Sequence, residues 1–321
     1  MTGPADVLST HEGLKAAMRT AGITGDTGYI NHGSGWADSE ACMIFLRKKV
    51  EALNRVTFIT DSVSRLIFSP DNNLVTGVLL ASNKTLTTDL TILAAGAWTP
   101  SLLDMRGIAT ATGQVLGYIR LTPAQLEKYK GLPVIMNLST GLFSIGPDNH
   151  GILKLAQHAY GYANPVSIKH PEPHKSSPFF SEHNITVSIP ALTNDLPKEA
   201  LRTLQDFQAQ LFPDLPLRPY DQTRICWYTD TASGDWIIDF HPSYGKSLLV
   251  VTGGSGHAFK FLPIIGEKIV QRMTGALEEE YAELWKWPEH KQEDLWTGDG
   301  SRGGIKGLVL HKAMGKGAAK L

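Results

Sequence analysis

The run Thr252-Gly253-Gly254-Ser255-Gly256-His257-Ala258-Phe259-Lys260-Phe261-Leu262-Pro263 carries the residue types best suited to chemistry. Three glycines between positions 253 and 256 let a backbone pass close to something large and flat. The amides of such a turn, with a helix N-terminus behind them, attract an anion or an electron-rich ring edge. His257 adds a group whose charge changes near neutral pH, and Lys260 adds a cation. Two readings stay open from these residues alone: a cofactor- or anion-binding turn, or a glycine-rich strand-to-helix connection with a surface lysine.

The flanking text supplies the elements that must hold this turn. Leu248-Leu249-Val250-Val251 predicts a strand before it. Ile264-Ile265, Ile269-Val270 and Met273 predict an amphipathic helix after it. Upstream, a helix is predicted over 11–22 and a loop over 22–35. A second helix is predicted over 39–54, with Asp38 as its cap and Cys42, Met43, Leu46, Val50 and Leu53 on a core-facing side. Strands are predicted at 56–60, 63–68, 74–81 and 86–91. Ile92-Leu93-Ala94-Ala95-Gly96-Ala97-Trp98 then reads as an apolar strand ending in a turn of small residues.

From Gly113 the text alternates between apolar and polar residues over 114–121, 134–136, 142–145, 152–156 and 185–189, the pattern of an antiparallel sheet. Residues 163–183, rich in Pro, His and Ser, predict a surface excursion. A helix is predicted over 198–211, stopped by Phe212-Pro213, followed by strands at 223–230 and 236–240. Strand–helix text at both ends brackets the antiparallel insert. The expected division is one domain from 1–110 and 222–290, a second from 111–221, and a loop-like tail over 291–321.

The chain has 321 residues, 42% hydrophobic and 19% charged, which is enough for one large or two medium domains. A net charge of −1 implies no basic face, so nucleic acid is excluded as a partner class. No apolar run approaches the ~18 residues of a membrane span. Residues 1–10 lack the charged-then-apolar pattern of a secretion signal. Cys42 and Cys226 are the two cysteines, which points to a reducing compartment. Ala319-Lys320-Leu321 is a close variant of the Ser-Lys-Leu peroxisomal address.

Five blocks, in order, carry a resemblance. They are Asn31-His32-Gly33-Ser34-Gly35-Trp36-Ala37-Asp38, Leu93-Ala94-Ala95-Gly96-Ala97-Trp98, Gly151-Ile152-Leu153-Lys154 through His158, Arg224-Ile225-Cys226-Trp227-Tyr228-Thr229-Asp230-Thr231, and the glycine-rich run with Phe259-Lys260-Phe261-Leu262-Pro263. Over about 30–290 the chain resembles the FAD-dependent amine oxidases of the monomeric sarcosine oxidase family, and among them the fungal fructosyl-amino-acid and saccharopine oxidases. The resemblance implies a mixed fold, α+β or α/β. A partial FAD-binding domain of glutathione-reductase type would carry an inserted antiparallel-sheet substrate domain.

The resemblance also implies roles. Cys226 would form a thioether to the flavin 8α-methyl, the thiolate being the reacting form; a buried structural cysteine is the other reading. Lys154 would sit by the flavin ring and stabilise charge developing on oxygen, or else lie on the solvent side of its strand. His158 would lie near the substrate amine, and Lys260 would pair with the substrate carboxylate. Backbone of Gly254, Ser255, Gly256 and His257 would run along the ring. Tyr228 and Trp98 would pack around cofactor or substrate, or else belong to the core.

The family opens with a strand, a Gly-x-Gly-x-x-Gly turn and a helix that hold the adenosine half of FAD. Nothing between Met1 and Gly35 fits that pattern, nor is the family's N-terminal substrate-binding arginine found there. The expectation is a sheet with an unpaired edge and an uncovered apolar face, covered by a second chain, a rearranged N-terminus or self-association. Two functional expectations follow. One is oxidation by FAD and oxygen of the secondary-amine C–N bond of an N-substituted amino acid (of the saccharopine, fructosyl amino acid, sarcosine or pipecolate class), giving hydrogen peroxide. The other is a truncated, catalytically silent paralogue that binds a ligand or a protein, or one half of a split enzyme.

Overall fold

The strand Ala109–Arg120 is the spine of a seven-stranded sheet. Gln222–Thr231 pairs antiparallel along one side of it, from Gln222 opposite Tyr118 to Thr231 opposite Ala109. Ile152–Gln157 and Tyr162–Ala163 take the other side, with Lys154 also opposite Tyr118. Leu142–Ile145 and Ile135–Met136 continue the sheet beyond Ile152–Gln157. The computed structural model describes residues 5–173, 183–291 and 302–315.

Side chains along a strand alternate between the two faces. On one face, Val115, Ile119, Leu153, Leu155 and Ile225 are buried under the helix Lys198–Leu211, which contributes Leu204, Phe207 and Leu211. The other face carries the even-numbered residues of the same strands, and the helix Lys198–Leu211 does not cover it.

A second core surrounds a three-stranded sheet in which Thr91–Leu93 runs parallel to Leu248–Thr252, with Ile237–Phe240 antiparallel on the far side. Leu93, Leu248 and Val250 pack with Leu103, Met105 and the hairpin residues Leu66 and Val75. The helix Leu262–Thr274 joins Trp236, Ile238 and Trp285 through Ile265 and Ile269. The strand–turn–helix reading of the glycine-rich run thus holds. The mixed α/β architecture is also as expected. The strand Gln222–Thr231, placed by the sequence division with residues 222–290, pairs over its whole length with Ala109–Arg120.

Several local expectations are corrected. Residues 163–183 do not run as a surface excursion throughout: Pro165–Lys169 and Asn184–Ser188 form a hairpin whose Val166, Ile168, Ile185 and Val187 pack together. Gly28–Asn31, in the expected loop, pairs with Ala5–Leu8. No strand forms at 56–60. The tail is not a loop over 302–315: Leu308–Val309 adds a parallel strand beside Tyr162–Ala163, and Leu310 is buried. The address at 319–321 lies outside the described residues.

The helix Ser39–Ala52 forms where expected, with Asp38 Oδ1 accepting from the Ala41 amide at 3.0 Å. Its core assignment is wrong. None of its residues is buried, Phe45 is 63% exposed, and Cys42 is only half-buried. Periodicity says which face a helix would bury; here that face stays exposed. Thr91–Leu93 likewise has a strand partner on one side only among the described residues, and Ile92 is 44% exposed. No described helix is long and apolar enough to cross a membrane.

A polar tie binds the outer hairpin to the second core. Glu172 accepts from the Tyr244 hydroxyl at 2.6 Å and from the Asp104 amide at 2.9 Å. Asp104 in turn holds Arg106 at 2.8 Å and Lys291 at 3.6 Å. Burial pushes the Asp104 carboxyl up, but hydrogen bonds from Arg106 and the charges of Lys291 and Arg106 more than offset it, holding it at about 2. Its unfolded value is near 3.8, so protons favour the unfolded chain. The stabilisation is fully present above about pH 4 and is lost as pH falls toward 2, and it amounts to about 2 kcal/mol. Urea unfolding should therefore show Asp104→Asn less stable than the wild type at pH 6, with the gap closing by pH 2.

Candidate functional site

Two parallel strands end side by side. Thr91–Leu93 leads into the short helical turn Gly96–Ser101, and Leu248–Thr252 leads into Gly253–His257. Thr99 and Thr252 hydroxyls lie 3.3 Å apart and join the two turns. In open α/β sheets, ligands bind outside the carboxyl ends of parallel strands, and the glycine-rich turn stands at that position.

The turn has a demanding backbone. Gly253, Ser255 and Gly256 have φ of 75°, 45° and 75°. Ser255 accepts this left-handed conformation because its amide donates to Thr229 O at 2.9 Å and its hydroxyl to Gly253 O at 3.0 Å. A side chain on Gly256 would meet the Tyr228 ring at 2.5 Å, so the turn rests directly on that ring.

Tyr228 belongs to the face of the large sheet that the helix Lys198–Leu211 leaves open. The two-residue period puts Arg224, Cys226, Tyr228 and Asp230 on that face, with Gln114 opposite Cys226. Lys154 and Tyr118 share it through the neighbouring register. Lys154 is half-buried rather than solvated, with its ammonium 5.6 Å from the Phe143 ring centre. Burial pulls its pKa below the ordinary lysine value; the nearby Cys226 opposes this and Arg224 adds to it. Cys226 is a half-buried free thiol on the side opposite the apolar core. It is thus not a buried structural cysteine. His158 Nδ1 lies 3.4 Å from the Tyr228 hydroxyl. Burial pushes the Tyr228 phenol up to about 12 against the favourable charge of Arg302. Tyr228 therefore stays a neutral hydroxyl at physiological pH.

Trp98 is 38% exposed and not a core residue. His257 Nδ1 lies 3.1 Å from Ser255 O, and its ring centre is 5.9 Å from that of Trp236. Lys260 is exposed and opens onto a cavity of about 380 Å³ lined by Trp236, His257, Phe261, Tyr281 and Trp285. The structure therefore gathers Lys154, Cys226, Tyr228 and His158 with the Gly254–His257 turn. No described contact joins Lys260 or Trp98 to them.

Sequence reasoning missed the polar residues behind Tyr228. Arg302 and Asp230 form a buried ion pair at 2.6 Å. Thr112 donates to the same carboxylate, and Gln114 donates to Thr112 at 3.2 Å. Asp230 was legible as an acidic residue on the same face as Cys226. Arg302, far along the chain in glycine-rich text, gave no signal.

The family pattern described as FAD dependent oxidoreductase matches residues 3–272. The chain belongs to that family. It is 35% identical to amino acid oxidase imqH of Aspergillus flavus, over 81% of this chain and 62% of that one. It is 30% identical to L-saccharopine oxidase of Schizosaccharomyces pombe, over 81% and 60%. The fold superimposes on the fructosamine oxidase Amadoriase II of Aspergillus fumigatus with a TM-score of 0.83 at 30% identity, covering 95% of this chain and 72% of that one. The chain thus spans about three fifths of the length of these two curated relatives.

FAD is the cofactor of this family. The residues present fit its ring half: a half-buried thiol lies within electrostatic reach of a desolvated lysine on one sheet face, and a turn that admits no side chain at Gly256 rests on Tyr228 of the same face. Cys226 and the turn backbone would hold the ring. The turn's steric demand is testable. Gly256→Ala should cost about 2–4 kcal/mol, from its left-handed backbone plus the clash with Tyr228. Gly245→Ala, at φ 50° with nothing within 4 Å, should cost only about 1 kcal/mol. Urea denaturation of the two variants gives the comparison.

Proposed function

We propose that this chain carries the ring-side half of an FAD-dependent oxidase acting on the secondary-amine C–N bond of an N-substituted amino acid. The observation that carries the reading is the convergence of Lys154, Cys226, Tyr228, His158 and the glycine-rich turn at the carboxyl ends of two parallel strands. The substrate is of the saccharopine, fructosyl amino acid, sarcosine or pipecolate class. Overall, it loses two electrons and two protons to become an imine, which water hydrolyses. Oxygen gains the same electrons and protons and leaves as hydrogen peroxide. Bound FAD supplies the two-electron oxidant that links these halves.

The side chains divide the remaining work. Lys260 is the anchor for the substrate carboxylate, a fixed cation that orients the amine. His158, with Tyr228 holding its Nδ1 side, accepts and returns a proton near the amine. Lys154 places a positive charge where oxygen becomes negative. Trp98 closes the far side of the site. The exposed side of the helix Ser39–Ala52 and the Thr91–Leu93 edge are each covered in the working protein by a second chain or a second copy. A peroxisomal location, read from Ala319-Lys320-Leu321, suits a peroxide-forming reaction.

Expression with excess FAD should give a yellow protein whose colour stays with the acid precipitate, and mass analysis should find flavin on the Cys226 peptide. Cys226→Ser should lose the attachment. A colourless wild type with an unmodified Cys226 peptide would sink the proposal. In stopped-flow reoxidation of the chemically reduced protein, Lys154→Met should slow the reaction with oxygen by about 10²-fold.

A further inference from the structure

Arg302 lies in the segment after residue 291, yet it ends beneath Tyr228. It is 6% exposed. One guanidinium nitrogen, Nη2, donates to Asp230 Oδ1 at 2.6 Å and to the Ser255 carbonyl at 2.8 Å. The other, Nη1, donates to Ala159 O at 3.4 Å. The guanidinium carbon is 5.0 Å from the Tyr228 ring centre, within cation–π range. Thr112 donates to Asp230, Gln114 to Thr112, and the Ala159 amide to Gln114. The contacts form a closed circuit: Arg302, Asp230, Thr112, Gln114, Ala159 and back to Arg302.

The delivery of Arg302 is equally specific. The Gly303 amide donates to His158 O at 3.1 Å, and the Tyr160 amide to Gly303 O at 3.0 Å. A side chain on Gly303 would collide with Thr140 O at 2.1 Å, so glycine is needed for the segment to enter. Leu308–Val309 then locks it beside Tyr162–Ala163. A buried ion pair is weak as a source of net stability. This one also leaves Arg302 Nε buried with no hydrogen bond. What the circuit secures is geometry, since Arg302 itself touches the Ser255 carbonyl, the Tyr228 ring and the Ala159 carbonyl next to His158.

We propose that Arg302 is a positioning residue that fixes the Tyr228 ring and the Ser255 carbonyl together, so that the Tyr228 hydroxyl stays on His158 while the glycine-rich turn keeps its left-handed course. The role rests on the oxidase reading, in which that turn and His158 border the reacting groups. The segment 302–309 then completes the site instead of trailing from it.

The test uses the full chain labelled with 3-fluorotyrosine, with Tyr228→Phe assigning the fluorine resonance of position 228. In the wild type position 228 should give one narrow resonance. In Arg302→Met that resonance should split, or broaden by at least threefold. Arg302→Lys keeps the cation and should recover at least half of the narrowing; it also serves where the methionine variant fails to fold. An unchanged resonance in Arg302→Met, beside a lowered melting temperature, would make Arg302 a structural strut and overturn the proposal. So would an Arg302→Lys variant that melts normally yet keeps the broadened resonance. Flavin attachment in the same wild-type protein separates the two ideas. A split or broadened resonance in Arg302→Met, beside a wild type whose Cys226 peptide carries no flavin after expression with excess FAD, supports the positioning role and removes the oxidase reading.

Discussion

The two-residue alternation of one strand pair sets the rest of the molecule. Ala109–Arg120 and Gln222–Thr231 run together over ten residues of the second strand. A one-residue slip would carry every side chain to the opposite face. Register is fixed because one face must bury Val115, Ile119 and Ile225 under Leu204 and Phe207. The polar face is then settled without further cost: Cys226, Tyr228 and Asp230 have no other side to occupy. Core packing on one side of the sheet thereby aims the chemistry on the other.

The site also depends on a backbone that side chains cannot follow. Gly256 lies where a methyl group would enter the Tyr228 ring, and Ser255 is held left-handed by Thr229 and Gly253. A flat ligand needs a bare strip of backbone, and this turn supplies one at the ends of two parallel strands. The desolvated Lys154 stands on the adjoining face, within electrostatic reach of Cys226. Neither feature is useful alone, and the contact of the turn with Tyr228 brings them together.

Elements governed by local pattern were the legible ones. Lys198–Leu211 was readable to its last residue, because its 3.6-residue period ends at Phe212-Pro213. The strand–turn–helix around Gly253 was readable for the same reason, and the Cys226 and Lys154 blocks pointed to a flavin ring before any fold was known. The strand at 185–189 was readable, but its hairpin partner was hidden because the surrounding Pro, His and Ser mask the alternation of Val166 and Ile168. The exposure of Ser39–Ala52 was illegible in principle, since amphipathicity names a face but not its partner. Arg302 was missed because a pair formed across 72 residues leaves no periodic trace.

The late position of residues 302–315 has a temporal consequence. The sheet, the glycine-rich turn and Tyr228 can all emerge from the ribosome before Arg302 and Leu308–Val309 exist. The last strand must then thread beside Tyr162–Ala163, into a sheet already assembled around Ala109–Arg120. A protein built in this order passes through a stage in which its core is closed but its site is not.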